Sequence, residues 1–213
     1  MSAPMDTKTK ILNAAEILFA DKGFTSTSLR EITSEAEVNL AAVNYHFGSK
    51  KELIKALMKR YLDELNPPLV ASLNAVNQQT PKPSLNDVFE AFVEPLLSLN
   101  EFRENGTSIF LQLLGRSYID SQGFLRWFIT TNYPHIIDNF VIAVEKAYPE
   151  LTREEIFWRL HFTMGTVVFT MSSSAALIDI ADNDFGNKVD VAGVIKRIIP
   201  YVASGVGAPI TRD

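Results

Sequence analysis

Residues Val38–Leu53, VNLAAVNYHFGSKKEL, constrain the fold more than any other stretch of this chain. They read as a short helix carrying small residues and a Tyr-His pair, a Gly-Ser turn, and a second helix that opens with two lysines. Ser28–Ala36 (SLREITSEA), just upstream, reads as another short helix. Two short helices joined by a tight turn, the second with a small-residue face, have the geometry that fits a DNA major groove.

The surrounding residues extend this into a compact helical head. Over residues 7–22, Ile11, Leu12, Ala15, Leu18 and Phe19 fall on one helical stripe, and Gly23 suits the position that ends it. Ser28 and Glu31 have capping-box spacing, so a second helix is expected from Leu29 to about Ala36, with Ile32 facing the core. Asn39 is a good N-cap for a third helix running to about Tyr45. Ser49 and Glu52 make another capping box for a fourth, whose buried face is Leu53, Ile54, Leu57, Met58, Tyr61 and Leu65. Pro67-Pro68 is expected to stop it.

Each exposed candidate has a chemistry that DNA can use. Leu40, Ala41 and Ala42 are short enough to let a backbone approach base edges, and alanine can touch a thymine methyl. Asn44 can pair bidentately with adenine. Asn39, Tyr45 and His46 suit contacts at the ends of the third helix. Lys50 would place charge beside helix N–H groups already pointing at a phosphate. Ser28 and Arg30 can hold the opposite strand's backbone. Val43 and Phe47, apolar at i and i+4, are expected in the core. Tyr45 and His46 are also open to a packing role, and Lys51 and Lys55 to simple solvation.

The chain's net charge of −5 looks unfavourable for binding DNA until its distribution is read. Residues 1–60 hold nine Lys/Arg against seven Asp/Glu, a net of +2, and residues 61–213 hold eleven against eighteen, a net of −7. A mildly basic head on an acidic body confines attraction for phosphate to one end.

The block from Lys10 to Leu53, with ILNAAEILFADKGF, TSLREIT and VNLAAVNYHFGSKKEL, resembles the DNA-binding head of the TetR family of transcriptional regulators. Two positions depart from the family pattern. Glu37 stands where a turn glycine is usual, which asks a non-glycine residue to accept the turn or shifts the turn slightly. Asn44 stands where tyrosine is common, which should alter base preference. The VNYHFGSK arrangement is also similar to the subgroup of the fatty-acid-responsive regulator PsrA, and that similarity implies a long-chain acyl ligand.

Beyond the head the pattern stays helical. Residues 66–83, with four prolines, read as a connecting stretch around a short helix. Helical stripes follow over Ser84–Asn100 (kinked at Pro95), 105–119, 121–131 and 134–148. Thr152 and Glu155 open a long helix reaching about Ile180, and a last helix spans Asp190–Val206, interrupted at Pro200. The 156–180 helix is apolar on more than one face and rich in small residues, which calls for burial on both sides. Packing of these last two helices against the same pair in a second chain satisfies that demand, as the resemblance also implies. Two heads at fixed separation would read a pseudo-palindrome with half-sites roughly 34–36 Å apart.

Large apolar residues concentrate in the body, and a slot for a small hydrophobic ligand is expected among Phe89, Phe92, Phe110, Leu113, Phe128, Phe140 and Phe162. Arg116 and His161, embedded among them, are candidates for an acyl carboxylate. The competing reading has Arg116 snorkelling to solvent or pairing with Asp120 at i+4, and His161 as an ordinary packed histidine.

The expectation is therefore an all-α protein, with a three-helix helix-turn-helix head over residues 1–60 on a helical ligand-binding and dimerisation body over 61–213. Its expected role is a homodimeric regulator, a repressor released from double-stranded operator DNA by a small hydrophobic ligand. The alternative is a lipid or acyl-chain carrier with no DNA function. No enzyme, cofactor or metal site is expected: there is no cysteine, the histidines are His46, His135 and His161 only, and HExxH, GxGxxG, P-loop and GxSxG patterns are absent. Lys8, Lys10 and Glu16 interrupt any signal-like start, and no long charge-free apolar run is present, so a cytoplasmic protein without a membrane segment is expected.

Overall fold

Six helix starts in the computed structural model fall where the sequence offers a cap. The structure describes residues 6–79, 81–120 and 123–210, and among these the chain is helical with no strand. In chain order the helices are α1 (Thr7–Lys22), α2 (Leu29–Glu35), α3 (Leu40–Phe47), α4 (Lys50–Asn77), α5 (Leu85–Glu90) and α6 (Val93–Phe102). There follow α7 (Gly106–Asp120), α8 (Phe124–Asn132), α9 (Pro134–Ala147), α10 (Arg153–Ser172), α11 (Ser174–Phe185) and α12 (Val191–Val206).

Asp6, Ser28, Asn39, Ser84, Thr152 and Asp190 each accept the backbone N–H three residues on, satisfying a donor that the first turn leaves orphaned. Ser28–Glu31 closes a full capping box. At Ser49 and Thr152 the hydroxyl caps in the same way, but Glu52 and Glu155 turn to Lys55 and Arg159. The α2 end bears out the reading of Glu37, whose φ is +53°. Its N–H reaches Ser34 O and the Val38 N–H reaches Thr33 O, a Schellman ending built without glycine. A left-handed non-glycine residue costs on the order of 1–2 kcal/mol.

Four expected boundaries are corrected. Helix α4 runs through Pro67 and Pro68 to Asn77, so residues 66–77 are helix, not linker. Both prolines lie on the exposed face, so the carbonyls they leave unpaired can turn to water. On the opposite face Leu65, Leu69, Leu73 and Val76 are buried and hold the helix together. The expected 84–100 helix is two helices, and Pro95 sits in the first turn of α6, where its missing N–H would have had no partner. The expected 152–180 helix breaks at Ser173, with α10 and α11 bent by 69°. The Ser172 hydroxyl bonds the Phe169 carbonyl there, one of the local contacts by which serine competes with helical bonding. Helix α12 continues through Pro200, whose ring faces outward while Ile195, Ile199, Val202 and Val206 are buried.

Two compact units divide the chain. The first joins the residues up to Asp63 with Ile109–Ile129; the second holds Glu64–Ser108 and the residues from Thr130 on. In the first unit, Ile11, Ala15, Phe19, Ile32, Val43, Leu53, Leu57 and Tyr61 form a core that also includes Phe110, Leu113 and Leu125. The Tyr61 and Phe110 rings stack at 5.8 Å, and Phe19 meets Phe24 edge-on at 5.2 Å. The fully buried Glu16 carboxylate lies 3.6 Å from the Arg60 guanidinium, which also donates to Asn13. In the second unit α12 packs against α5 and α10, and α5 against α9. Among the described residues no single helix is long and apolar enough to cross a membrane.

Candidate nucleic-acid interface

Helix α3 has two faces of different character. Val43 and Phe47 are buried at 0% and 8% exposure, anchoring it to the head. The opposite stripe of Leu40, Ala41, Asn44 and Tyr45 is exposed, Tyr45 reaching 86%. These positions fall at i, i+1, i+4 and i+5, one continuous surface free of bulky side chains at its centre. Ala42 and His46 are half-buried at its margin, and the His46 ring meets Tyr45 edge-on at 5.0 Å.

The flanking candidates surround this face with donors. The Asn39 side-chain oxygen is used in capping Ala42 N–H at 2.9 Å, which leaves its amide N–H groups available to a phosphate. The Ser28 hydroxyl accepts from Glu31 N–H at 3.2 Å and stands exposed at the start of α2. Arg30 is exposed on α2. Lys50 opens α4 and is half-buried. Burial pushes its pKa below the ordinary lysine value, and the Asp120 and Glu31 carboxylates act in the opposite sense.

Glu31 is the most perturbed carboxylate of the head. The Ser28 backbone N–H, then the Lys22 and Ser28 side chains, hold its pKa down to about 2. A carboxyl depressed on folding contributes stability above its unfolded pKa and loses it as pH falls through the folded value. The α2 capping box should thus weaken between roughly pH 4.5 and about 2. Amide exchange of the first turn of α2 measured against pH should show this step, and Glu31→Gln should remove it.

The residues expected to line a ligand slot are found in both units. Phe89, Phe92 and Phe140 cluster in the second unit, with Phe140 5.8 Å from Phe89 and 5.1 Å from Phe92. Phe110, Leu113 and Phe128 are buried in the first unit. His161 and Phe162 point outward from α10, Phe162 at 66% exposure, and belong to a surface stripe. Arg116 donates from Nη2 to the Asp21 carbonyl at 2.8 Å.

Sequence reading missed two polar constellations. Asp120 accepts the Phe24 N–H at 2.8 Å and the Thr25 N–H at 3.4 Å. Arg159, 8% exposed, donates to Glu155 and to the carbonyls of Val206, Ala208 and Pro209. The i,i+4 spacing of Arg116 and Asp120 was visible as a signal, but their partners lie about 95 residues away, at 95 and 96 positions' separation.

Two family models cover most of the chain. Residues 11–57 match the model described as bacterial regulatory proteins, tetR family, and residues 90–205 match the tetracyclin repressor-like C-terminal domain. Among curated relatives, the probable HTH-type transcriptional regulator YttP of Bacillus subtilis is 37% identical over 87 residues, 40% of this chain and 42% of that protein. IcaR of Staphylococcus aureus, a negative transcriptional regulator of the biofilm operon icaADBC, is 29% identical over 94 residues, 44% of this chain and 48% of its own. The chain thus spans under half the length of these relatives. Solved structures extend the likeness of fold to nearly the whole chain. An HlyIIR variant superposes with a TM-score of 0.60 at 21% identity, covering 94% of this chain and 97% of its own. The fatty acid degradation regulator FadR of Bacillus halodurans does so with a TM-score of 0.54 at 16% identity, covering 99% and 100%. With a C-terminal model matching more than half of its residues and an N-terminal model matching the helix-turn-helix, the chain belongs to the TetR family of transcriptional regulators.

Proposed function

We propose that the protein is a sequence-specific DNA-binding transcriptional regulator, acting as a homodimeric repressor that a small hydrophobic ligand releases from its operator. The observation that carries this reading is the outward face of α3, where Leu40, Ala41, Asn44 and Tyr45 stand exposed over a buried Val43–Phe47 anchor. Small side chains at its centre admit close approach to base edges, and Asn39, Ser28, Arg30 and Lys50 ring it with phosphate donors. The description of IcaR as a negative regulator favours repression. Such a role places the protein in the cytoplasm.

The dimer reading rests on α10. Phe157, Trp158, Phe162 and Phe169 are 41–67% exposed on one side of this helix, with His161 and Gly165 between them. A run of exposed aromatics of this size on a water-facing helix marks an interaction surface. A second copy of the same helix is the occupant that gives a two-fold pair of heads.

The ligand reading is placed in the second unit, at Phe89, Phe92 and Phe140. Phe92 and Phe140 are half-buried there. An acyl chain suits such an aromatic slot, and it acts as an inducer only if it binds one arrangement of the body better than the other. Emptying a mostly occupied operator takes on the order of 5 kcal/mol of differential affinity.

Fluorescence anisotropy with a labelled duplex tests the head residue by residue. Lys50→Ala should weaken binding to every sequence and flatten the salt slope by about one unit in log–log form. Asn44→Ala should instead relax preference at one base pair, costing about 1–3 kcal/mol there. An Asn44→Ala protein that loses the same affinity on every duplex would remove the base-reading role. Titration of the bound complex with a long-chain fatty acid and its CoA ester tests the ligand, and retention of DNA with both would discard the acyl assignment.

A further inference from the structure

We infer that Asp120, at the end of α7, is the positioning residue that presents the head's phosphate-binding groups Ser28, Arg30 and Lys50 to DNA. This rests on the DNA-reading proposal above, but it adds a residue far outside the helix-turn-helix sequence.

The geometry begins at Gly23. Its φ is +86°, and a Cβ there would lie 2.7 Å from the Asp120 carboxylate oxygen and 3.4 Å from the Arg116 side chain. The turn between α1 and α2 is thus glycine both for its backbone conformation and because a carboxylate fills the space. That carboxylate accepts the Phe24 and Thr25 N–H groups, while Arg116, one helical turn earlier, donates to the Asp21 carbonyl. Residues four apart on α7 therefore hold the turn on both sides of Gly23. Within the turn, the buried Thr27 hydroxyl donates to the carbonyls of Gly23 and Leu18. Residues 21–27 are held from two directions, and the next residue is Ser28, the cap of α2.

The start of α4 is tied to the same segment. The Lys51 ammonium lies 5.0 Å from the centre of the Phe124 ring on α8. Lys50, its neighbour, is attracted by Asp120. Phosphate groups are bound by donors held in fixed register, so a loosened turn costs affinity even with every contact residue present.

The test uses the full-length protein and a labelled duplex that the unmodified protein selects from a random-sequence pool. Asp120→Ala should weaken binding to that duplex by about tenfold or more, since two turn N–H groups lose their acceptor. Asp120→Asn keeps an oxygen acceptor and should stay within about threefold of the unmodified protein. The Phe24 amide should exchange faster in Asp120→Ala than in Asp120→Asn. Circular dichroism melts check that each variant is folded, and Arg116→Gln, which loses a single bond at the turn, replaces Asp120→Ala if that variant does not fold. Unchanged affinity in the folded Asp120→Ala or Arg116→Gln protein would overturn the inference, as would an Asn variant as weak as the Ala one. An unmodified protein that selects no sequence would overturn the DNA-reading proposal itself, and this inference with it.

Discussion

Phe162→Glu is expected to leave the protein monomeric and to abolish tight binding to a two-half-site operator. The Phe162 side chain is 66% exposed on α10, in the middle of the stripe formed by Phe157, Trp158 and Phe169. Covering one such side chain is worth about 1.5–3 kcal/mol, and a two-fold interface counts every substitution twice. The loss is thus on the order of 3–6 kcal/mol before the cost of burying two carboxylates, or roughly 10²–10⁴-fold in the dimer dissociation constant. Because the substituted position is exposed in the single chain, the fold of each protomer should survive. Sedimentation velocity should show the monomer at concentrations where the unmodified protein is dimeric, with the helical circular dichroism signal retained. Binding of a single half-site should then fall far less than binding of the whole operator. A variant that sediments as the dimer would show that this stripe is not the interface.

The second large effect is expected in the body at Arg159. This guanidinium is 8% exposed and gathers the Glu155 carboxylate at 2.8 Å with the carbonyls of Val206, Ala208 and Pro209. Val206 is the last residue of α12, where the final carbonyls outrun the helix's own N–H groups; Ala203 and Gly205 accept from Gly207 and Ala208. Arg159 therefore acts as a C-terminal cap supplied by another helix, joining α10 to the end of α12. Arg159→Ala removes the donor and leaves the buried Val206 carbonyl unsatisfied, while the part-exposed Ala208 and Pro209 carbonyls can turn to water, at a cost of about 1–3 kcal/mol. For a chain of this size that corresponds to a fall in melting temperature of roughly 2–12 °C, measured at one protein concentration. Arg159→Lys should recover only part of the loss, since one ammonium cannot span the carbonyls that a planar fork reaches. A melting temperature within about 2 °C of the unmodified protein would show that the cap contributes little to stability.

Neighbouring residues along the chain explain why the head was readable. Ser28 and Asn39 cap the helices that follow them, and such bonds span three residues, so their spacing is written in the sequence. The burial of Val43 and Phe47 and the exposure of Ala41, Asn44 and Tyr45 follow from helical periodicity alone. Even the strained position Glu37 was legible, because a non-glycine residue stands where the α2 ending requires a positive φ.

The body was readable as helix but not as partners. Proline ends helices by propensity, yet Pro67, Pro68 and Pro200 all lie inside them, because buried Leu65, Leu69, Leu73, Ile199 and Val202 outweigh the missing bonds. Arg116 looked like a ligand anchor because a cation amid apolar residues has several possible partners, and periodicity carries no information about which one it meets.

The sequence by itself determined the helical class, the helix-turn-helix with its caps, and which face of α3 looks outward, since all of these depend on residues within a turn or two of each other. Only the tertiary structure decided that Ile109–Ile129 joins the head, that Arg116 and Asp120 grip the Gly23 turn, and that Arg159 closes α12. Those bonds join residues roughly fifty to a hundred positions apart, and their partners are mostly backbone N–H and carbonyl groups, which every residue type carries alike.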